Sequence, residues 1–156
     1  MRLRIAAVGR LRDGPEKQIV DDYLDRFEKT GRGIGLGPAE ILEVEDRKGG
    51  GPASEAALLR RTFPEGAVML ALDERGRALT SPEFAKCLAG WRDAGRRDMA
   101  IIIGGADGLD PTLRSEADVL LSLGPMVWPH MLARVMVSEQ LYRAATILAG
   151  GPYHRA

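Results

Sequence analysis

At 156 residues, 45% hydrophobic and 28% charged, the chain has the length and composition of a single globular domain, residues 1–156, with enough core to need no disulfide or metal staple. Its 22 basic and 22 acidic residues cancel, which argues against coating nucleic acid through bulk charge but leaves room for a local basic site that reads RNA. A lone cysteine, apolar runs far below the ~20 residues of a membrane span, and too little apolar sequence at the N-terminus for a secretory leader predict a cytoplasmic protein with no membrane anchor.

Arg2–Val8 reads as a strand ending at Gly9. Pro15–Thr30 follows as an amphipathic helix, with Ile19, Val20, Tyr23, Leu24 and Phe27 on its inner side. Ala39–Val44 is a second strand. Asp46–Ser54, which contains Lys48-Gly-Gly-Gly-Pro52, is expected to be a mobile loop, neither helix nor strand. A short helix over Ser54–Thr62 leads to a buried third strand, Ala67–Leu72. The next helix starts near Ser81, with Pro82 and Glu83 in its first turn and Gly95 at its end. Phe84, Leu88 and Trp91 mark its inner face, and Cys87 reads as a core residue of the same helix. Met99–Ile103 is a continuous apolar run of the kind buried on both faces of a parallel sheet. Asp110-Pro111 marks a helix cap, Val119–Leu123 a fifth strand, and Pro129–Ala149 a long last helix closed by Gly150-Gly151. Five strands alternating with helices predict an α/β fold, a mainly parallel sheet with flanking helices.

Open α/β sheets bind ligands beyond the carboxyl ends of their strands. Three such ends stand out: Leu72-Asp73, Gly104-Gly105 and Leu123-Gly124. The loop Gly104–Gly108 permits close backbone approach to a ligand, although turn chemistry alone also accounts for it. No phosphate-binding G-x-x-x-x-G-K-[ST] loop is present. The apolar Leu123-Gly-Pro-Met-Val-Trp128 suits a nucleoside better than a polyphosphate.

On the last helix, His130 and Arg134 share one side, while Glu139 and Arg143 lie nearly opposite. The Glu139–Arg143 spacing is that of an ordinary i,i+4 surface pair as well as of a site. Apolar residues occur almost all round this helix (Leu132, Val135, Met136, Val137, Leu141, Ile147, Leu148), which predicts burial on more than one side and a second subunit as part of the cover. From Val119 onward Glu139 is the only acid, against Arg134, Arg143 and Arg155. His130 reads as a helix cap or a residue beside a ligand. His154 belongs to a five-residue tail, Pro152-Tyr-His-Arg-Ala156, that would ordinarily fray. Two lone histidines make no metal site.

The order of blocks along the chain is more specific. Leu72-Asp-Glu-Arg-Gly76, Ser81-Pro-Glu-Phe-Ala85, Ile103-Gly-Gly-Ala-Asp-Gly108 and Leu121-Ser-Leu123 are followed by Pro129-His130, Glu139-Gln-Leu-Tyr-Arg-Ala144 and Gly151-Pro-Tyr-His-Arg155. Together they resemble the RlmH family of SPOUT-class methyltransferases over essentially the whole chain. That resemblance implies a C-terminal trefoil knot, S-adenosylmethionine as methyl donor, and a homodimer with its sites at the subunit interface. The implied reaction is methylation of N3 of a pseudouridine in 23S ribosomal RNA. Leu72, Gly104, Leu123, Gly124, Pro125, Met126, Val127 and Trp128 match the family's cofactor positions. Gly124 stands where the family commonly has Ser, and Val127 where it commonly has Thr.

Loss of the N3 proton calls for a base or for cations that stabilise charge on the ring carbonyl oxygens. Glu139 is the candidate base. Arg143, Arg155 and His154 are candidates for charge stabilisation or for positioning the target, Tyr142 and Tyr153 for stacking on the target base, and His130 for orienting the cofactor loop. The expected partner is large-subunit RNA or the ribosome, with no metal. The competing readings are a noncatalytic RNA-binding module with a nucleoside pocket, and a small-molecule α/β enzyme using His130 as base.

Overall fold

A computed structural model describes Met1–Arg155. Five strands, β1 (Arg2–Val8), β2 (Ala39–Val44), β3 (Val68–Arg77), β4 (Asp98–Ile103) and β5 (Val119–Leu121), form one sheet. Their order is β2-β1-β4-β3-β5 and all four pairings are parallel. The helices are α1 (Pro15–Gly31), α2 (Gly51–Arg60), α3 (Ser81–Asp93), α4 (Pro111–Glu116) and α5 (His130–Ala149).

Strand alternation sends neighbouring residues to opposite faces, and two apolar cores result. Leu3, Ile5, Leu70 and Ile101 pack with Phe27 of α1, Leu88 of α3 and Leu141 of α5. On the other face Ala6, Ala71, Ala100 and Ile102 pack with Leu59 of α2 and Leu113 of α4. The continuous apolar run of β4 is thus buried on both sides. Among the described residues, no helix is long and apolar enough to cross a membrane.

Four expectations need correction. The segment read as a mobile loop already becomes helix at Gly51: Asp46 accepts the Lys48 and Gly50 amides at 3.1 and 2.6 Å, and Pro52 suits the first turn. Strand β3 does not stop at Leu72 but bulges out and returns at Arg77, which pairs with Leu121. Gly76 permits the return, since a β-carbon there would lie 2.6 Å from the Leu120 backbone. On α1, Val20, Leu24 and Phe27 are buried, whereas Ile19 is 42% exposed. Finally, β5 ends at Leu121, and Ser122–Pro129 forms a loop ahead of α5.

The apolar surround of α5 has mostly an internal explanation. Val137, Leu141, Ala144 and Ala145 are buried in the chain's own core beside α1 and α3. What remains exposed is Met126, Val127 and Trp128 in the preceding loop and Met131 and Leu132 in the first turn.

Candidate active site

Because β4, β3 and β5 are neighbours in the sheet, the loops that follow them converge on one cavity of about 610 Å³. Its wall includes Leu72, Gly104, Leu123, Gly124, Met126, Val127, Trp128 and His130; Pro125, though in the same loop, is not part of it. The backbone at Gly104 is packed so closely that a β-carbon would meet the Leu109 side chain at 2.9 Å and the Gly108 carbonyl at 3.0 Å. The Leu123–Trp128 loop is braced from within. The Trp128 indole donates to the Leu123 carbonyl at 3.2 Å, and the Gly124 amide donates to Ser122 Oγ at 3.1 Å. Gly124 has φ 102°, so the residue that departs from the family pattern adopts a conformation that side chains resist. His130 makes no capping hydrogen bond, which removes the cap reading and leaves its place on the cavity wall.

Sequence reasoning passed over the polar part of this cavity. Asp73, on the β3 bulge, accepts the Arg75 amide at 2.8 Å and lies 3.6 Å from Arg114 of α4. A nucleoside-sized space with an apolar loop, tight backbone and charges of both signs on its wall (Asp73, Glu74, Asp107, Arg75 and Arg114) suits a nucleoside that carries its own charged groups. S-adenosylmethionine has that character, and the residues present fit it. Among the described residues, no group of three or more His, Cys, Asp or Glu is placed to hold a metal ion.

A second cluster occupies the opposite face of α5. Glu139 Oε1 accepts from Arg143 Nη2 at 2.6 Å, Arg143 Nε at 3.0 Å and the Tyr153 hydroxyl at 3.0 Å, while Oε2 accepts from Gln140 at 2.9 Å. His154 Nδ1 lies 3.3 Å from Arg143 Nη1. Since a guanidinium only donates, Nδ1 is the acceptor and Nε2 carries the imidazole proton. The Arg143 guanidinium sits 4.8 Å from the Tyr153 ring centre, and the Tyr142 and Tyr153 rings are 4.6 Å apart. The hydrogen bond to Glu139 raises the Arg143 pKa further. Burial, then the neighbouring Tyr23 and Glu139, raise that of Tyr153.

The tail is therefore folded back on α5 and not frayed, with Arg155 exposed at its end. Glu139, Arg143, Tyr142, Tyr153 and His154 come together, but none of them lines the cofactor-shaped cavity. Glu139 instead borders a second cleft of about 570 Å³ shared with Ile19, Tyr23 and Met136. His130 and Glu139 are nine residues apart on α5, about 13 Å along its axis and on opposite sides.

The sequence matches the family described as "Predicted SPOUT methyltransferase" over residues 1–154. Ribosomal RNA large subunit methyltransferase H of Ruegeria pomeroyi is 66% identical, and the protein of the same name from Roseobacter denitrificans 68% identical; each alignment covers 99% of both chains. Among solved structures, a probable methylase family protein from Haemophilus influenzae superposes with a TM-score of 0.52 at 12% identity, covering 99% of this chain and 70% of that one, a likeness of fold.

Proposed function

The chain belongs to the SPOUT methyltransferase family, and on that premise we propose that it is an S-adenosylmethionine-dependent methyltransferase acting on N3 of a pseudouridine in large-subunit ribosomal RNA. It would work as a homodimer, in the cytoplasm where ribosomes are. The observation that carries the reading is the convergence of three adjacent strand ends on one nucleoside-sized cavity, with Arg143 of the final helix and His154 of the tail held together as donors for an RNA base.

Leu72, Gly104 and Leu123–Trp128 would hold the cofactor, with Asp73 and Arg114 beside its charged part. When bound, S-adenosylmethionine supplies an electrophilic methyl group. The N3 electron pair would take the methyl carbon as the carbon–sulfur bond breaks and its pair returns to sulfur, and the N3 proton would pass to water, so that negative charge grows on the flanking carbonyl oxygens as the proton goes. Arg143 and Arg155 answer that charge as fixed cations, and His154 can donate through Nε2. Tyr142 and Tyr153 offer the aromatic surface on which a splayed base stacks. Glu139 was the candidate base. Its two oxygens already accept four hydrogen bonds, an arrangement that supports holding Arg143 and Tyr153 in place over taking a proton.

The cluster and the cavity lie on opposite sides of α5, which supports a site built from the cavity of one subunit and the tail of its partner. Met131 and Leu132, exposed beside the cavity, continue the exposed apolar residues of its wall, Met126, Val127 and Trp128, into a surface suited to a subunit interface. The test is methyl transfer from labelled S-adenosylmethionine to free 23S RNA, isolated large subunits and assembled ribosomes, with the product nucleoside identified by mass spectrometry. Label in 3-methylpseudouridine is expected; cofactor binding with no transfer to any of the three would overturn the enzymatic reading.

A further inference from the structure

Arg134 is 2% exposed and is the largest fully buried side chain of the protein. Its position in an apolar stretch of α5 gives no reason for a charge, and packing alone would be met by a methionine. The guanidinium instead reaches out of the helix to two strands. Nη1 donates to Glu43 Oε2 on β2 at 2.6 Å, and Nη2 donates to the carbonyls of Val8 and Gly9 at the end of β1, at 2.9 and 2.7 Å. Glu43 Oε2 also accepts the Leu11 amide. Nε is buried without a partner.

A buried ion pair is a poor device for stability, since apolar residues of similar volume often do as well or better. What a forked guanidinium supplies is a fixed distance and angle among several acceptors. The parts fixed here are two walls of the cofactor-shaped cavity. Ala133 and His130, the residue before Arg134 and the one a turn earlier, line it from α5. Val8, whose carbonyl Arg134 holds, backs the part of the wall formed by Gly105: a β-carbon on Gly105 would lie 3.2 Å from Val8 Cγ1.

We propose that Arg134 is a positioning residue for the cofactor cavity, tying the start of α5, and with it the Leu123–Trp128 loop, to the strand end behind Gly105. The inference rests on the methyltransferase reading for the identity of the ligand, but the anchoring itself can be observed without any ligand.

The test uses the full-length protein and Arg134→Lys, which keeps the charge and loses the fork, with Glu43→Gln as a milder second variant. Hydrogen exchange without cofactor should speed up across Leu123–His130 in Arg134→Lys and stay unchanged across Glu139–Arg155. Calorimetry should show S-adenosylmethionine binding weakened about ten-fold or more. The KM for the cofactor should rise in parallel while that for the ribosome stays put. A folded Arg134→Lys protein with unchanged exchange over Leu123–His130 and unchanged affinity overturns the proposal, leaving Arg134 a purely structural residue. If Arg134→Lys does not fold, Glu43→Gln decides: faster exchange in the same segment supports the anchor, and unchanged exchange overturns it. If the unsubstituted protein binds no S-adenosylmethionine, the functional reading fails, and the exchange comparison still judges the anchor.

Discussion

The Tyr153 hydroxyl donates to Glu139 Oε1 at 3.0 Å, joining the C-terminal tail to the middle of α5 across fourteen positions. The same oxygen takes two hydrogen bonds from Arg143. Tyr153 therefore does two things: its ring packs on Tyr142 and under Arg143, and its hydroxyl completes the shell of Glu139.

Tyr153→Phe separates the two. The ring contacts survive and one hydrogen bond is lost, a change of about 1 kcal/mol in stability. Methyl transfer should fall about ten-fold through kcat if Glu139 must be held in register, while calorimetric affinity for S-adenosylmethionine remains as before. Equal loss of cofactor affinity would place Tyr153 in the cofactor site instead.

The raised pKa of Tyr153 has a pH signature. Its folded-state pKa lies above the ordinary value of 10.0, owing to burial first and then to Tyr23 and Glu139. A group shifted upward contributes stability in full below its unfolded pKa, and that stability is lost as pH rises through the folded one. Unfolding free energy should therefore decline above pH 10 more steeply in the native protein than in Tyr153→Phe. In a tyrosinate absorbance titration, the substitution should remove amplitude only from the alkaline end. Amplitude lost near pH 10 would show that Tyr153 titrates normally.

At Gly104 the expected defect is local. A β-carbon meets Leu109 and the Gly108 carbonyl, so alanine displaces the loop that forms one cavity wall. Gly104→Ala should weaken S-adenosylmethionine binding about ten-fold or more, with little change in the far-ultraviolet spectrum. Unchanged affinity in the folded variant would put the cofactor elsewhere.

Much of the frame was legible because periodicity reports burial. The bounds of β1 and β2 follow from their apolar spacing, and the apolar run of β4 announced burial on both faces. What stayed hidden depended on partners distant in sequence. Nothing near Asp73–Arg77 says that this polar segment returns to pair with Leu121, because that depends on a close approach allowed at Gly76. Three glycines before Pro52 read as a loop, since the Asp46 turn that launches α2 is a contact and not a pattern. Nothing around Arg134 marks it for burial, because its partner Glu43 is ninety-one positions away. The tail's composition hinted at a role, and the family pattern extended through it, but its hydrogen bonds with α5 became visible only in the fold.

The apolar surface at the start of α5 predicts the subunit interface. Met131 and Leu132 are 45% and 40% exposed, so aspartates there cost the isolated chain little. Across an interface, each loses the roughly 1 kcal/mol that covering the exposed remainder of a large apolar side chain contributes and buries an unpaired charge instead. Sedimentation should find the unsubstituted protein dimeric at micromolar concentration and Met131→Asp/Leu132→Asp monomeric, folded and inactive. A double variant that remains dimeric would move the interface to another face.

If the site is composite, subunits with different defects must complement one another. A chain truncated after Gly151 keeps its cavity, since no described tail residue lines it, but has lost Tyr153, His154 and Arg155. A Gly104→Val chain keeps the tail and has lost the cavity's tight wall. Each alone, as a homodimer, should transfer almost no methyl, and the truncated one should still dimerise and bind S-adenosylmethionine. In a mixed dimer the intact cavity of the truncated chain faces the intact tail of the other, giving one working site of the two. A site built within a single chain predicts the opposite, because then neither subunit of the mixed dimer is complete. Differently tagged subunits, co-expressed and purified over both tags, allow the comparison. Activity near half that of the native dimer establishes the exchange of tails between subunits; a mixed dimer as inactive as its parents confines the site to one chain and refutes the composite arrangement.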